Sequence, residues 1–283
     1  GGGLLPVWQE HFSGTNSGVN VVTTVGTWTK GGTQGTVWKH SNFTSSGCFS
    51  DGIVPPAFST VGNGFLLFDA DSFNCVNPVP VPPTFNQTDL NGYITSPQIN
   101  LSSYSDIVLE FEYGSRWCCT DAFMSVQIST DDGASWPTSL LVPVGQVNVD
   151  LQGIFSQNIS QYAGGQGQVR LRFSWGPESH YYWTVDDIVI YQAATQDLKM
   201  HYDFVSHTPD GYEEYGRVPI NQIQGAMRVG ASLENYGSGI ATNSTVAVAV
   251  LDQNSALAFT ASESQSVLLP GDTAILIAQQ NVN

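Results

Sequence analysis

The chain has 283 residues, of which 24 are Asp or Glu and 8 are Lys or Arg, a formal net charge of −16. Hydrophobic residues at 41% and aromatics at 11% are ample for a packed core and exclude a disordered acidic tail. So few cations argue against a nucleic-acid partner, and no apolar run reaches the roughly 18–20 residues that a membrane-spanning helix needs.

The start, Gly1-Gly2-Gly3-Leu4, has neither an initiator Met nor a charged n-region and reads as a mature or excised piece. Helical periodicity is missing, because 29 Gly and 14 Pro interrupt most windows. Alternation with period two replaces it. Strands are expected at 65–68, 92–99, 107–113, 123–129, 139–149, 169–175 and 182–191, then at 198–204, 226–233, 245–251 and 273–278. Ile107, Leu109, Phe111 and Tyr113 share one face against Glu110 and Glu112; Val169, Leu171, Phe173 and Trp175 share another against Arg170 and Arg172. These charges suit either cross-strand pairs or the solvated faces of unrelated strands, and the second reading is preferred because exposed pairs contribute only about 0–1 kcal/mol.

Composition shifts near residue 195: all seven Trp and all four Cys precede it. The expected organisation is two all-β domains, 1–195 and 196–283, each an antiparallel sandwich with a short linker at Gln192-Ala193-Ala194-Thr195.

Several residue groups are candidates for chemistry. Ser129-Thr130-Asp131-Asp132-Gly133-Ala134-Ser135-Trp136 fits the Asp-box hairpin S-x-D-x-G-x-x-W. In it Asp131 accepts backbone N–H bonds within the turn opened by Ser129, Gly133 takes a positive φ, and Trp136 folds back as a plug. A single copy of this motif points to structure. Asp69 and Asp71 follow an apolar strand, and Asp186 and Asp187 lie inside one. An inward carboxylate is costly unless it is paired or holds a cation; with cations scarce, Ca2+ is the natural partner, and turn capping is the alternative. Two of these four acids would also serve a glycosidase, the minority reading.

Cys48, Cys75, Cys118 and Cys119 admit three connectivities. The expected pairing is Cys48–Cys75 with a vicinal Cys118–Cys119 bridge; a crossed arrangement is the alternative, and either fits an exported protein. Five His are scattered singly, and no H-E-x-x-H, G-x-S-x-G or phosphate-loop motif occurs, which favours a non-catalytic chain. Arg116, Trp117, His180 and Tyr181 fall near predicted loops, where exposed rings would stack on sugars or anchor a protein.

Taken together, residues 7–191 resemble the jelly-roll modules of the MAM, cleaved-adhesin and choice-of-anchor J group. The runs that carry the likeness are Glu10-His11-Phe12, Trp28, Trp38, Asn63 to Asp69, Tyr93 to Leu101, Leu109-Glu110-Phe111, Val126 to Gly133, Val169 to Phe173 and Trp183 to Ile188. Residues 196–283 resemble the Ig-like, CARDB-like modules that follow such domains in exported Bacteroidetes proteins, through Arg217-Val218-Pro219, Leu233 to Gly239, Val246 to Leu251 and Leu269 to Asp272. The resemblance implies an antiparallel jelly roll followed by a smaller Ig-like sandwich, and a secreted or cell-surface adhesin recognising glycans or surface proteins. It also implies structural calcium, with Glu10, Asp69 and Asp187 at the positions that help hold the metal. Many relatives leave by type IX secretion attached to a sorting domain. The alternative it raises is a pair of accessory modules in a larger secreted peptidase or glycoside hydrolase, with other domains or secretion machinery as partners.

Overall fold

The structure, a computed structural model, describes residues 6–50, 52–77, 84–118, 123–206 and 226–281. Two compact units meet at Gln192 and Ala193, three residues before the expected boundary. Among the described residues no helix is long and apolar enough to cross a membrane.

The first unit is built from β1 (Pro6–Glu10), β2 (Gly14–Ser17), β3 (Asn20–Thr23), β4 (Thr27–Gly31), β5 (Trp38–Ser41), β6 (Phe65–Asp69), β7 (Cys75–Asn77), β8 (Thr84–Phe85), β9 (Leu90–Thr95), β10 (Ile107–Arg116), β11 (Met124–Ser129), β12 (Thr138–Val142), β13 (Leu151–Asn158), β14 (Arg170–Glu178) and β15 (Tyr182–Gln192). Two one-turn helices, α1 (Ala70–Asn74) and α2 (Ser160–Ala163), interrupt them. One sheet runs β13-β10-β15-β6-β5, with β1 also on β15; the other runs β12-β11-β14-β9-β4-β3-β2. The pairings within both sheets are antiparallel. This is the expected double-layered β-sandwich.

Alternation sets which face is buried. Leu109, Phe111, Trp183 and Val185 of the first sheet meet Ile94, Val126, Leu171 and Phe173 of the second in one core. Aromatic rings fill its centre: Trp38 lies 5.4 Å from Trp183 and Phe173 lies 6.1 Å from Trp28. A second, smaller core of Phe58, Phe65, Leu67, Tyr181 and Tyr182 lies on the outer face of β6 and β15. Strand β6 is therefore buried on both sides, which explains its unbroken apolar run Phe65-Leu66-Leu67-Phe68.

Some expected elements differ. The strand expected at 92–99 stops at Thr95 because Pro97 cannot donate to a ladder; beyond it only a bridge from Ile99 to Val169 remains. The one expected at 139–149 ends at Val142, before Pro143 and the positive-φ Gly145. β13, with Gly153 inside it and polar residues on both faces, has no clean alternation to read.

The second unit has a sheet β16 (Leu198–Ser206), β17 (Ala226–Asn235) and β20 (Thr273–Asn281), with β17 central, and a long hairpin of β18 (Ala241–Leu251) and β19 (Leu257–Leu268). The buried Asn235 side chain ties the turn after β17 together: its amide donates to Gly239 O and Leu268 O, and its carbonyl accepts from Gly237 N–H. Arg217-Val218-Pro219 lies outside the described residues.

Candidate functional site

Three groups of polar and aromatic side chains in the first unit are candidate sites. The first is acidic. β15 pairs with β6 through Tyr182–Val185 and with β1 through Ile188–Tyr191, so these two strands lie end to end along one edge and leave a gap at Asp186-Asp187. A bulge sits there: β10 skips from Glu110 to Glu112 opposite Val189 and Asp186, and Asp187 has φ 48°. Backbone groups without a strand partner need another acceptor, and the carboxylates supply it. Asp186 Oδ1 accepts from Asp187 N–H at 2.8 Å, Glu10 Oε1 from Phe12 N–H at 2.8 Å, and Asp187 Oδ2 from Thr60 N–H at 2.9 Å. Glu10 also accepts from Trp28 Nε1 and the Thr23 hydroxyl; His11 Nδ1 lies 2.6 Å from Asp187. Asp186 Oδ2 is buried with no partner. Burial first, then the charges of Asp187, Glu112 and Glu10, push the Asp186 carboxyl up to about 8.

Asp69 and Asp71 are not part of this group. Asp69 pairs across from Tyr182, four residues from Asp186 and hence about 13 Å along the strand. It accepts from Lys39 Nζ at 2.9 Å, the Ser45 hydroxyl and Ser72 N–H. Asp71 accepts from Phe49 N–H and the Ser50 hydroxyl; its Oδ1 is buried without a partner, and burial raises its carboxyl. The five acids expected to share one ion, Glu10, Asp69, Asp71, Asp186 and Asp187, thus form two clusters. Among the described residues no three His, Cys, Asp or Glu side chains are placed to hold a metal. Asp69, Asp71 and Asp187 anchor the segment 42–63 against the outer face of the first sheet. Glu112 joins them through Ser59, as do Asp150 through Val54 N–H and the Cys48–Cys75 disulfide. A cavity of about 270 Å3 beside this anchor is lined by His11, Glu110, Glu112, Asp187 and Tyr191.

The second group lies at the other end of β10 and β15. The structure brings Arg116, Trp117, His180 and Tyr181 close together. The Arg116 guanidinium sits 4.4 Å from the Tyr181 ring centroid, and Trp117 Nε1 donates to Gly145 O. Their exposure differs from expectation. Tyr181 is only 7% exposed and belongs to the small core, its hydroxyl donating to Asn148 Oδ1. His180 is 12% exposed, stacked on Phe85 at 4.5 Å and flanked by Phe49. Cys118 is disulfide-bonded, and the vicinal bridge expected to Cys119 falls on a residue outside those described.

The third group was not assembled from sequence. It stands on the outer face of the second sheet, where rows of residues run across β12, β11, β14, β9 and β4. One row is Ser139, Gln127, Arg172, Thr95, Thr29; the next is Leu141, Ser125, Ser174, Tyr93, Gly31. The Arg172 guanidinium lies 3.9 Å from the Tyr93 ring centroid and 3.8 Å from that of Trp136. Gly31 makes room for Tyr93, since a Cβ there would stand 2.5 Å from its ring.

Trp136 arrives through the Asp box. Asp131 accepts from the Ser129 and Ser135 hydroxyls at 2.6 Å each and from Ser135 N–H at 2.9 Å, which hold its carboxyl down at about 2. Gly133 has φ 90°, and Trp136 Nε1 donates to Gly133 O. The Trp136 ring then covers a guanidinium rather than plugging the core. Arg170 pairs with Asp132 at 2.6 Å, while Glu110 and Glu112 belong to the opposite sheet; the strands are unrelated, as preferred from the sequence, but their charges are not simply solvated, since Glu110 accepts from Tyr191, Glu112 from Ser59, and Arg172 packs on two rings. Their alternation was legible, but Tyr93 and Trp136 are too distant in the chain to be joined to Arg172 by spacing.

No protein-family model matches the chain, and no curated protein matches it. Among solved structures it is similar to TmCBM61 in complex with β-1,4-galactotriose, at 11% identity and TM-score 0.34, over 58% of this chain and 88% of that one. It is also similar to the K1 cleaved adhesin domain of Lys-gingipain from Porphyromonas gingivalis W83, at 10% identity and TM-score 0.36, over 65% and 96%. A third is the CBM22-1 xylan-binding domain of Paenibacillus barcinonensis Xyn10C, at 14% identity and TM-score 0.29, over 66% and 94%. At these values the likenesses carry no weight for function.

Proposed function

We propose that the chain is a non-catalytic, extracellular binding protein that recognises glycans through the outer face of its second sheet. The observation that supports this is the Tyr93–Arg172–Trp136 stack, set among Ser, Thr and Gln side chains on a sheet with a rigid aromatic core behind it. Flat rings beside hydrogen-bonding groups suit sugar faces and hydroxyls. The glycosidase reading needs two carboxylates open to substrate; Asp69, Asp71, Asp186 and Asp187 are all buried and engaged as backbone anchors. The Cys48–Cys75 disulfide supports an oxidising compartment.

Screening the whole chain against a polysaccharide panel and an array of surface glycans tests the reading. Binding is expected, weakened by Tyr93→Ala or Trp136→Ala and kept in Trp117→Ala. Silence across the panel would remove its basis.

For calcium the remaining candidate is the single unpartnered oxygen of Asp186, since the oxygens of Glu10 and Asp187 are engaged by Phe12, Thr23, Trp28 and Thr60. A ligand held only by the folded state stabilises it by mass action, so chelation at pH 8 should lower the melting midpoint of the first unit by several degrees. An unchanged melt together with no calcium by elemental analysis would dismiss the ion.

A further inference from the structure

The environment of Arg172 specifies more than a sugar face. With a ring within 4 Å on each side, only the edge of the guanidinium is left for hydrogen bonds. Its Nε–H donates to Thr95 Oγ1 at 3.3 Å, and its terminal N–H groups have no acceptor among the described residues. Among the described residues no carboxylate pairs with it, although acids outnumber bases 24 to 8 and neighbouring Arg170 has found Asp132. In such a chain an arginine flanked by two rings and left without an acid among the described residues is a strong donor awaiting a planar acceptor. Ser174 and Gln127 complete the surround.

We propose that this face binds a uronic acid unit, its carboxylate received by the free edge of Arg172 and its ring hydroxyls by the half-buried Ser174 and Gln127 beside it. The proposal rests on the glycan-binding reading above and adds the class of sugar. The net charge of −16 limits the ligand further. A dense polyanion would be repelled over the whole surface, whereas a carboxylate spaced by neutral sugars meets only the local cation.

The test uses two polymers whose uronates are separated by neutral residues, glucuronoxylan and rhamnogalacturonan I, each also with its carboxyl groups chemically reduced. Affinity electrophoresis and titration calorimetry on the whole chain should show binding to at least one native polymer and about tenfold weaker binding to its reduced form. Arg172→Lys should reproduce a loss of about tenfold while retaining the melting midpoint, because an ammonium keeps the charge but not the planar fork. Arg116→Lys should bind as the parent does.

Equal binding of native and reduced polymers by the unmodified chain overturns the proposal and leaves glycan recognition standing; this arm needs no variant to fold. A loss in Arg116→Lys with none in Arg172→Lys overturns it by moving the site to the other end of the sandwich. Failure on these polymers with binding elsewhere in the panel rejects the uronate alone, and failure on every glycan rejects both readings.

Discussion

Asp186 shows how a buried acid is turned to structural use at a cost. One oxygen caps the bulge, the other is unpartnered, and burial among three more carboxylates raises its pKa to about 8. A carboxyl raised in the folded state holds a proton that the unfolded chain releases above its ordinary value of 3.8. In chelator, stability should therefore fall as pH rises from about 4 to about 8 and level off above that. Asp186→Asn removes this contribution, so its melting midpoint should exceed the parent's at pH 8, with the difference shrinking toward pH 4. Parallel melting curves for parent and variant across that range would contradict the assignment. That Asp186 and Asp187 are buried was legible from their place inside an apolar strand, and that Asp69 and Asp71 are buried from theirs at the end of one. Their partners were not, because the backbone N–H groups of Phe49 and Thr60 come from a distant loop with no motif of its own.

At the level of elements, the segment 42–63 depends on many separate anchors. Carboxylates of Asp69, Asp71, Glu112, Asp150 and Asp187 and the amide of Gln152 receive its donors, and Phe58 packs into the small core. The Cys48–Cys75 bridge links residues 27 apart. Chain-entropy reasoning for such a loop gives about 3–4 kcal/mol, so a Cys48→Ser/Cys75→Ser double variant should be that much less stable in urea unfolding. It should also exchange the amides of 42–63 faster, while those of β9, β11 and β14 keep their protection. Uniform loss of protection would mean that the segment is no separate cooperative unit. The strands were legible wherever alternation was clean, as in Ile107–Tyr113 and Val169–Trp175. They were misjudged where Pro97 and Pro143 cut them short and where β13 mixed polar residues on both faces.

For the whole molecule, sheet order decides what the surface offers. β14 lies between β9 and β11, which places Arg172 between Tyr93 and the Trp136 delivered by the Asp-box hairpin after β11. Composition could foretell a Trp-rich sandwich but not this strand order, so the aromatic candidates chosen from sequence were those adjacent in the chain, Trp117, His180 and Tyr181. Two of those three are largely packed away. The central claim is that recognition belongs to the outer face of the second sheet. The most direct measurement is amide and side-chain chemical-shift mapping of the chain during titration with the best-binding oligosaccharide from the panel. Shifts should concentrate on Tyr93, Thr95, Gln127, Trp136 and Arg172, with Trp117 and His180 unmoved. Shifts centred on Trp117 and His180, with the second sheet silent, would contradict it.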